Sequence, residues 1–168
     1  GYGDFLTRFL RYFLTRIEMY VTAGLNTQMQ TTIWSFVRGQ GKNNSYHIEH
    51  ILAHNEQSYA LFRDAKGELD EALFGLERNR FGGLLLLKGQ DNQSSGAEDY
   101  DEKLRTYTGS APYWAQTLVS DFYKSNSAMA DFTEHSKLDF KPEPVFDRDT
   151  LERRSKLAFE MAKRIWNV

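Results

Sequence analysis

Apolar residues in the first part of the chain return every three or four positions. Phe5, Leu6, Phe9, Leu10, Phe13, Leu14, Ile17, Tyr20 and Val21 fall on one helical stripe, with Arg8, Arg11 and Arg16 interleaved. The pattern predicts a long amphipathic helix ended by Gly24, its arginines forming a solvated face. A second helical stretch covers 27–37, with Met29, Ile33, Trp34 and Val37 apolar, and 39–44 reads as a loop. The period then changes. Residues 46–52 are short, aromatic and β-branched, and follow a turn-rich segment, so they read as a strand. Residues 55–64 form a short helix or an irregular loop. Residues 68–79 return to helical spacing through Leu69, Ala72, Leu73 and Leu76. The run Leu84-Leu85-Leu86-Leu87, bounded by Gly82-Gly83 and Lys88-Gly89, suits a short buried strand, and 90–96 is loop-like.

Beyond this point the pattern is helical again. Tyr100, Leu104 and Tyr107 share a face, and 113–123 and 128–133 are further helices. Lys141-Pro142-Glu143-Pro144 breaks regular structure. Asp149 with Glu152 has the spacing of a capping box, and a last helix runs to Trp166 through Leu151, Leu157, Met161 and Ile165. No repeat or low-complexity tract interrupts the chain. The predicted fold class is α+β, a mostly helical domain enclosing one small β element.

Composition narrows the function. At 168 residues and 14% aromatic, the chain has enough material for one well-packed domain. A net charge of −2 excludes a globally basic nucleic-acid binder, so any such contact needs a local basic face. The absence of cysteine excludes disulfides and thiolate metal sites and is compatible with a reducing cytoplasm, the expected location. No apolar run approaches a membrane span. The start, Gly1-Tyr2-Gly3, enters helical periodicity at once and reads as a piece of a longer or processed protein.

Chemistry concentrates in one place. Three of the four histidines, His47, His50 and His54, fall within eight residues, with Glu49 beside His50. Imidazole transfers protons near neutral pH and also ligates metals. A one-metal phosphodiesterase needs a base for water, oxygen ligands for a hard cation, and positive charge for the phosphate. His50 offers the base and Glu49 a ligand. Asn92 offers a neutral oxygen, and Arg78, Arg80, Lys88 and Lys103 offer phosphate contacts. Strand alternation puts His47 on the face opposite His50, and His54 lies in the turn that follows.

The order Glu49-His50, then Gly83-Leu84-Leu85-Leu86-Leu87, then Asn92 nine residues after Gly83, resembles the HNH, or ββα-metal, nucleases. More narrowly, Ile48-Glu49-His50-Ile51, the segment 78–87, the following Asn, Tyr100 and Lys103 are similar to the C-terminal nuclease domain of GmrSD-type (type IV) restriction endonucleases. The Arg-rich last helix ending in Ile165-Trp166 is similar too. The resemblance covers roughly residues 40–166. It implies a ββα-metal core within 40–168, with 1–39 as a helical connector. It also implies a DNA endonuclease, nicking or cutting with Mg²⁺ or Mn²⁺, that serves prokaryotic defence. In that reading His50 is the base, Glu49 and Asn92 hold the cation, and Lys103 and Arg80, helped by Arg78 and Lys88, clamp the backbone. An N-terminal nucleotide-hydrolysing domain of the same protein is the implied partner. Two positions depart from the pattern: Ala53 stands where the family has Pro, and Gly83 where it has the Asn that orients the base. Asn79 is the expected substitute for that Asn. Two other readings stay open. His47, His50 and His54 on a helix would line one face and suit zinc hydrolysis, and Gly83 is compatible with a non-catalytic DNA-binding or interaction module carrying a decayed site.

Overall fold

The computed structural model describes residues 2–29, 33–38 and 45–168. In chain order the elements are α1 (Tyr2–Gly24), α2 (Ile33–Arg38), β1 (Tyr46–His50), α3 (Glu56–Ala60), α4 (Glu71–Arg78), a 3₁₀ turn (Phe81–Gly83), β2 (Leu84–Lys88), α5 (Gly89–Ser95), α6 (Tyr100–Thr108), α7 (Tyr113–Gln116), α8 (Ser120–Ser125), α9 (Ser127–Ser136) and α10 (Arg148–Trp166). The fold is α+β and mostly helical, as the sequence pattern predicts. Among the described residues the only sheet is the antiparallel pair β1–β2, in which Tyr46 faces Lys88 and His50 faces Leu84.

The apolar run of β2 lies at the centre. Leu84, Leu85, Leu86 and Leu87 are each 0–2% exposed, so both faces of the strand are covered. That is why the sequence shows an unbroken run instead of alternation. One continuous core joins them to Phe13, Leu14, Ile17 and Val21 of α1, Trp114 of α7, and Leu151, Leu157 and Met161 of α10. The first helix therefore packs into the same core as the ribbon. The boundary expected between 39 and 40, like the loop expected over 39–44, falls outside the described residues. The first turns of α1 leave Phe5, Leu6, Phe9 and Tyr12 exposed. Farther along, Arg11 is half-buried and donates to the Tyr46 carbonyl at 2.5 Å, so this arginine anchors the start of β1 instead of facing water.

Two buried charges fasten helices to this core. Glu18 of α1 accepts from the backbone N–H groups of Tyr113 (2.8 Å) and Trp114 (2.7 Å), capping α7 from another helix. Burial pushes its carboxyl up to about 7, against the pull of those two donors. Arg154 of α10 lies 3.7 Å from the Trp114 ring centroid and reaches the Gly82 carbonyl, Thr117 Oγ1 and the Trp114 carbonyl at 3.3–3.4 Å. Burial lowers its guanidinium to about 10.

Several expected boundaries move, each for a local reason. The strand expected over 46–52 ends at His50, where Ile51 and Leu52 bend away. The helix expected over 113–123 is two helices. Between them the Thr117 carbonyl accepts from the Tyr123 hydroxyl and the Leu118 carbonyl from the Glu143 N–H, so neither continues a helical ladder. Of residues 90–96, expected as a loop, all but the capping Gly96 belong to α5, a polar helix packed on both strands and on α6. The last helix begins at Arg148. Asp147, not Asp149, caps it, accepting from Thr150 N–H at 2.8 Å, and Glu152 turns to Arg80 instead of closing a box.

The close approach of α10 to the 3₁₀ turn gives a test. A Cβ at Gly82 would lie 2.3 Å from the Ser155 backbone nitrogen, whereas one at Gly75, inside α4, meets nothing within 4 Å. Gly82→Ala is expected to lower stability by about 1–3 kcal/mol, and Gly75→Ala to raise it by about 0.5–1 kcal/mol. Urea unfolding of both variants checks the contrast, and a parent-like midpoint for Gly82→Ala contradicts the packing described.

Candidate active site at the end of β1

His50 is the last residue of β1, and the segment after α4 runs past it. The His50 Nε2 lies 2.9 Å from Asn79 Oδ1. Asn79 is the C-cap of α4, and its Nδ2 donates to the Gly75 carbonyl at 2.7 Å. That second bond decides which way the amide faces: nitrogen toward the helix, oxygen toward the imidazole. His50 therefore carries its proton on Nε2 and presents a lone pair at Nδ1, to which no hydrogen bond is made among the described residues. Burial depresses the imidazole to about 4. The Asn79 bond opposes this shift, and the charges of Arg78 and Lys103, together with His54, add to it.

Glu49 points the other way, into the protein, as strand alternation requires. It is 3% exposed. Its Oε1 accepts from Lys103 Nζ and from the Tyr107 hydroxyl, the latter at 3.1 Å. Lys103 and Tyr107 are one turn apart on α6, whose start is set by a reciprocal capping box between Asp99 and Glu102. The Lys103 ammonium also donates to the His50 carbonyl at 3.0 Å. At 1% exposure it lies inside the protein, away from any backbone arriving from solvent.

The other sequence candidates have different surroundings. Arg78, half-buried beside His50, donates through Nε to the Leu52 carbonyl at 2.9 Å, and its terminal nitrogens make no hydrogen bond among the described residues. Arg80 is paired with Glu77 at 3.0 Å and Glu152 at 2.5 Å, so its charge is already balanced. Lys88 is exposed at the far end of the ribbon from His50, about 13 Å away at strand spacing. Asn92 sits half-buried on α5, which follows that far end, and makes no side-chain hydrogen bond among the described residues. His47 is hydrogen-bonded to Ser45 at 2.8 Å. His54 meets the Tyr59 hydroxyl at 3.2 Å and packs edge-on against Phe74.

A divalent cation is implied by the resemblance, and the donors fit it poorly. Among the described residues no group of three or more His, Asp or Glu side chains could hold a metal ion. Glu49, the expected carboxylate, is enclosed and engaged by an ammonium. The three histidines do not converge either, since His47 and His54 have separate partners. Sequence reasoning named Lys103 and Arg80 for the phosphate and passed over Tyr107 and Tyr59. The spacing of Lys103 and Tyr107, four apart on one helix, was the available sign that both reach one acceptor.

Fold and site together define a helix-rich α+β domain that holds an imidazole–amide pair at the open end of a buried two-stranded ribbon. Residues 3–157 match the family model described as GmrSD restriction endonucleases, C-terminal domain, and the chain belongs to that family. No curated protein and no solved structure matches it. Among the described residues no helix is long and apolar enough to cross a membrane.

The depressed imidazole sets a pH dependence. His50 takes up its proton near pH 6.5 when unfolded and near 4 in the fold. The fold therefore favours the neutral ring, and that contribution is fully present above about pH 6.5 and is lost as pH falls toward 4. An NMR titration of the His50 ring is expected to give a midpoint near 4, and Asn79→Ala is expected to move it lower. A midpoint at or above 6.5 contradicts the environment described.

Proposed function

We propose that this domain hydrolyses DNA phosphodiesters, nicking or cutting the duplex, with His50 as general base. The observation that carries the reading is the His50–Asn79 pair, which leaves Nδ1 without a hydrogen bond among the described residues. Membership of a restriction-endonuclease family supplies the substrate class.

In this reading Nδ1 takes a proton from water, the water oxygen bonds to phosphorus, and the P–O bond to the 3′ oxygen breaks. The 3′ oxygen leaves and is protonated from solvent. Asn79 fills the orienting role that the family gives to the residue at Gly83: it keeps the proton on Nε2 and stabilises the imidazolium as it forms. Arg78 is the phosphate contact this geometry favours, because its terminal nitrogens make no hydrogen bond among the described residues. Charge at the phosphate is assigned by the resemblance to Mg²⁺ or Mn²⁺. To serve that cation Glu49 would first have to leave Lys103. Target choice and control are proposed to reside in an N-terminal nucleotide-hydrolysing domain of the full protein.

His50→Ala is expected to lower cleavage of plasmid DNA by about 10²-fold or more with an unchanged melting curve. A variant as active as the parent would falsify this assignment. Arg78→Ala is expected to weaken binding to all duplexes alike and to flatten the salt dependence, since a phosphate contact carries no base information. Fluorescence anisotropy at low and physiological salt reads both effects.

A further inference from the structure

We infer that Lys103 is a positioning residue: its buried ammonium, joined to the Glu49 carboxylate and the His50 carbonyl, fixes the strand end from which the imidazole projects. The inference rests on the reading of His50 as the base. It differs from a phosphate contact for Lys103 and from metal ligation for Glu49.

Three ties meet at this point of the chain. The Ile51 N–H donates to the Gly83 carbonyl at 2.9 Å, the last bond between the two strand regions. The His50 ring is held by Asn79. The His50 carbonyl receives its donor not from the ladder but from Lys103, at 3.0 Å. The first and third ties hold opposite edges of one peptide unit, the one that joins His50 to Ile51, and the second sets the ring. Without the third, that unit is held from the Gly83 side alone and the His50 carbonyl loses its donor, so the strand end that aims Nδ1 is less sharply fixed.

The energetics point the same way. Burying an ammonium and a carboxylate carries a large desolvation cost, and an apolar pair of similar volume is often as stable. Packing alone does not call for a lysine at a position 1% exposed. A lysine does supply a directed donor at the end of a long stem, anchored by a carboxylate. Tyr107, one turn along α6 and fully buried, donates to the same carboxylate oxygen. The capping box at Asp99 and Glu102 fixes where α6 starts, and so where both side chains arrive.

The experiment compares the parent, Lys103→Met, and the double variant Glu49→Gln/Lys103→Met. Steady-state cleavage of duplex DNA, anisotropy for DNA binding, and ¹⁵N-histidine NMR of the free protein are the readouts. Lys103→Met is expected to lower kcat by about 10²-fold, the scale of a roughly 1 Å misplacement, with Kd for DNA within about twofold. The single variant leaves Glu49 buried without its counter-charge and will melt early. The double variant carries no such charge, so its Tm is expected to recover while kcat stays low. In both variants the His50 ring signals are expected to shift and broaden relative to the parent. Tenfold weaker DNA binding by Lys103→Met at unchanged kcat would overturn the inference in favour of a phosphate contact. A double variant with the parent's kcat and the parent's His50 spectrum would overturn it in favour of a packing role. If the parent itself cleaves no DNA, the proposed function fails, and the NMR comparison still decides whether Lys103 orders His50.

Discussion

Leu84 to Leu87 meet water on neither face, and a two-stranded ribbon cannot achieve that by itself. Every side of β2 needs a covering element. α1 and α10 supply apolar stripes, α7 supplies Trp114, and β1 supplies the backbone partners on one edge. The helices are thus the condition under which the ribbon exists at all. The ribbon's open end, where β1 leaves the ladder at His50, is the place where polar groups can be held rigidly and still face solvent.

The same burial explains the charged residues inside. Helices arriving at β2 from several directions bring polar ends and side chains with them, and each needs a partner. Glu18 satisfies the first N–H groups of α7. Arg154 satisfies carbonyls of the 3₁₀ turn and of α7 while lying on Trp114. Lys103 satisfies Glu49 and the end of β1. All three join elements distant in sequence, and each bond has a direction that apolar contact lacks. Apolar packing brings these elements together, and the buried charges set how they are turned.

Spacing along a strand and at a helix end is local, so it is legible in the sequence: the pattern over 68–79 ends a helix at Asn79. Glu49 and His50, read as one site, face opposite ways, as strand alternation requires. What spacing could not show was which way a charged helical side chain turns. Lys103 and Arg80 both looked like surface cations. One is internal and the other is neutralised by Glu77 and Glu152; Glu77 is local, but Glu49 and Glu152 lie 54 and 72 residues from their partners. α5 reads as a loop because Gly, Asp, Asn and Ser, which make up most of it, are weak helix formers; its contacts with both strands and α6 override that preference. The cap at Asp147 was displaced to Asp149 by a Glu whose spacing fitted a box but whose side chain serves a different turn.

Residues 51–83 separate the two strands of the ribbon, and the lysine that ties its end comes twenty residues later still. No fragment ending before α6 holds all of these parts. Pairing β1 with β2 requires closing that long excursion, which makes it a late event in folding, reached after the local helices have formed. During synthesis the chain emerges from its N-terminal end, so His50 is made well before Lys103, its farthest partner. A copy cut anywhere before Lys103 lacks the donor to the His50 carbonyl. For a protein whose proposed substrate is DNA, the order of its segments keeps the histidine from its full set of ties until α6 has been made.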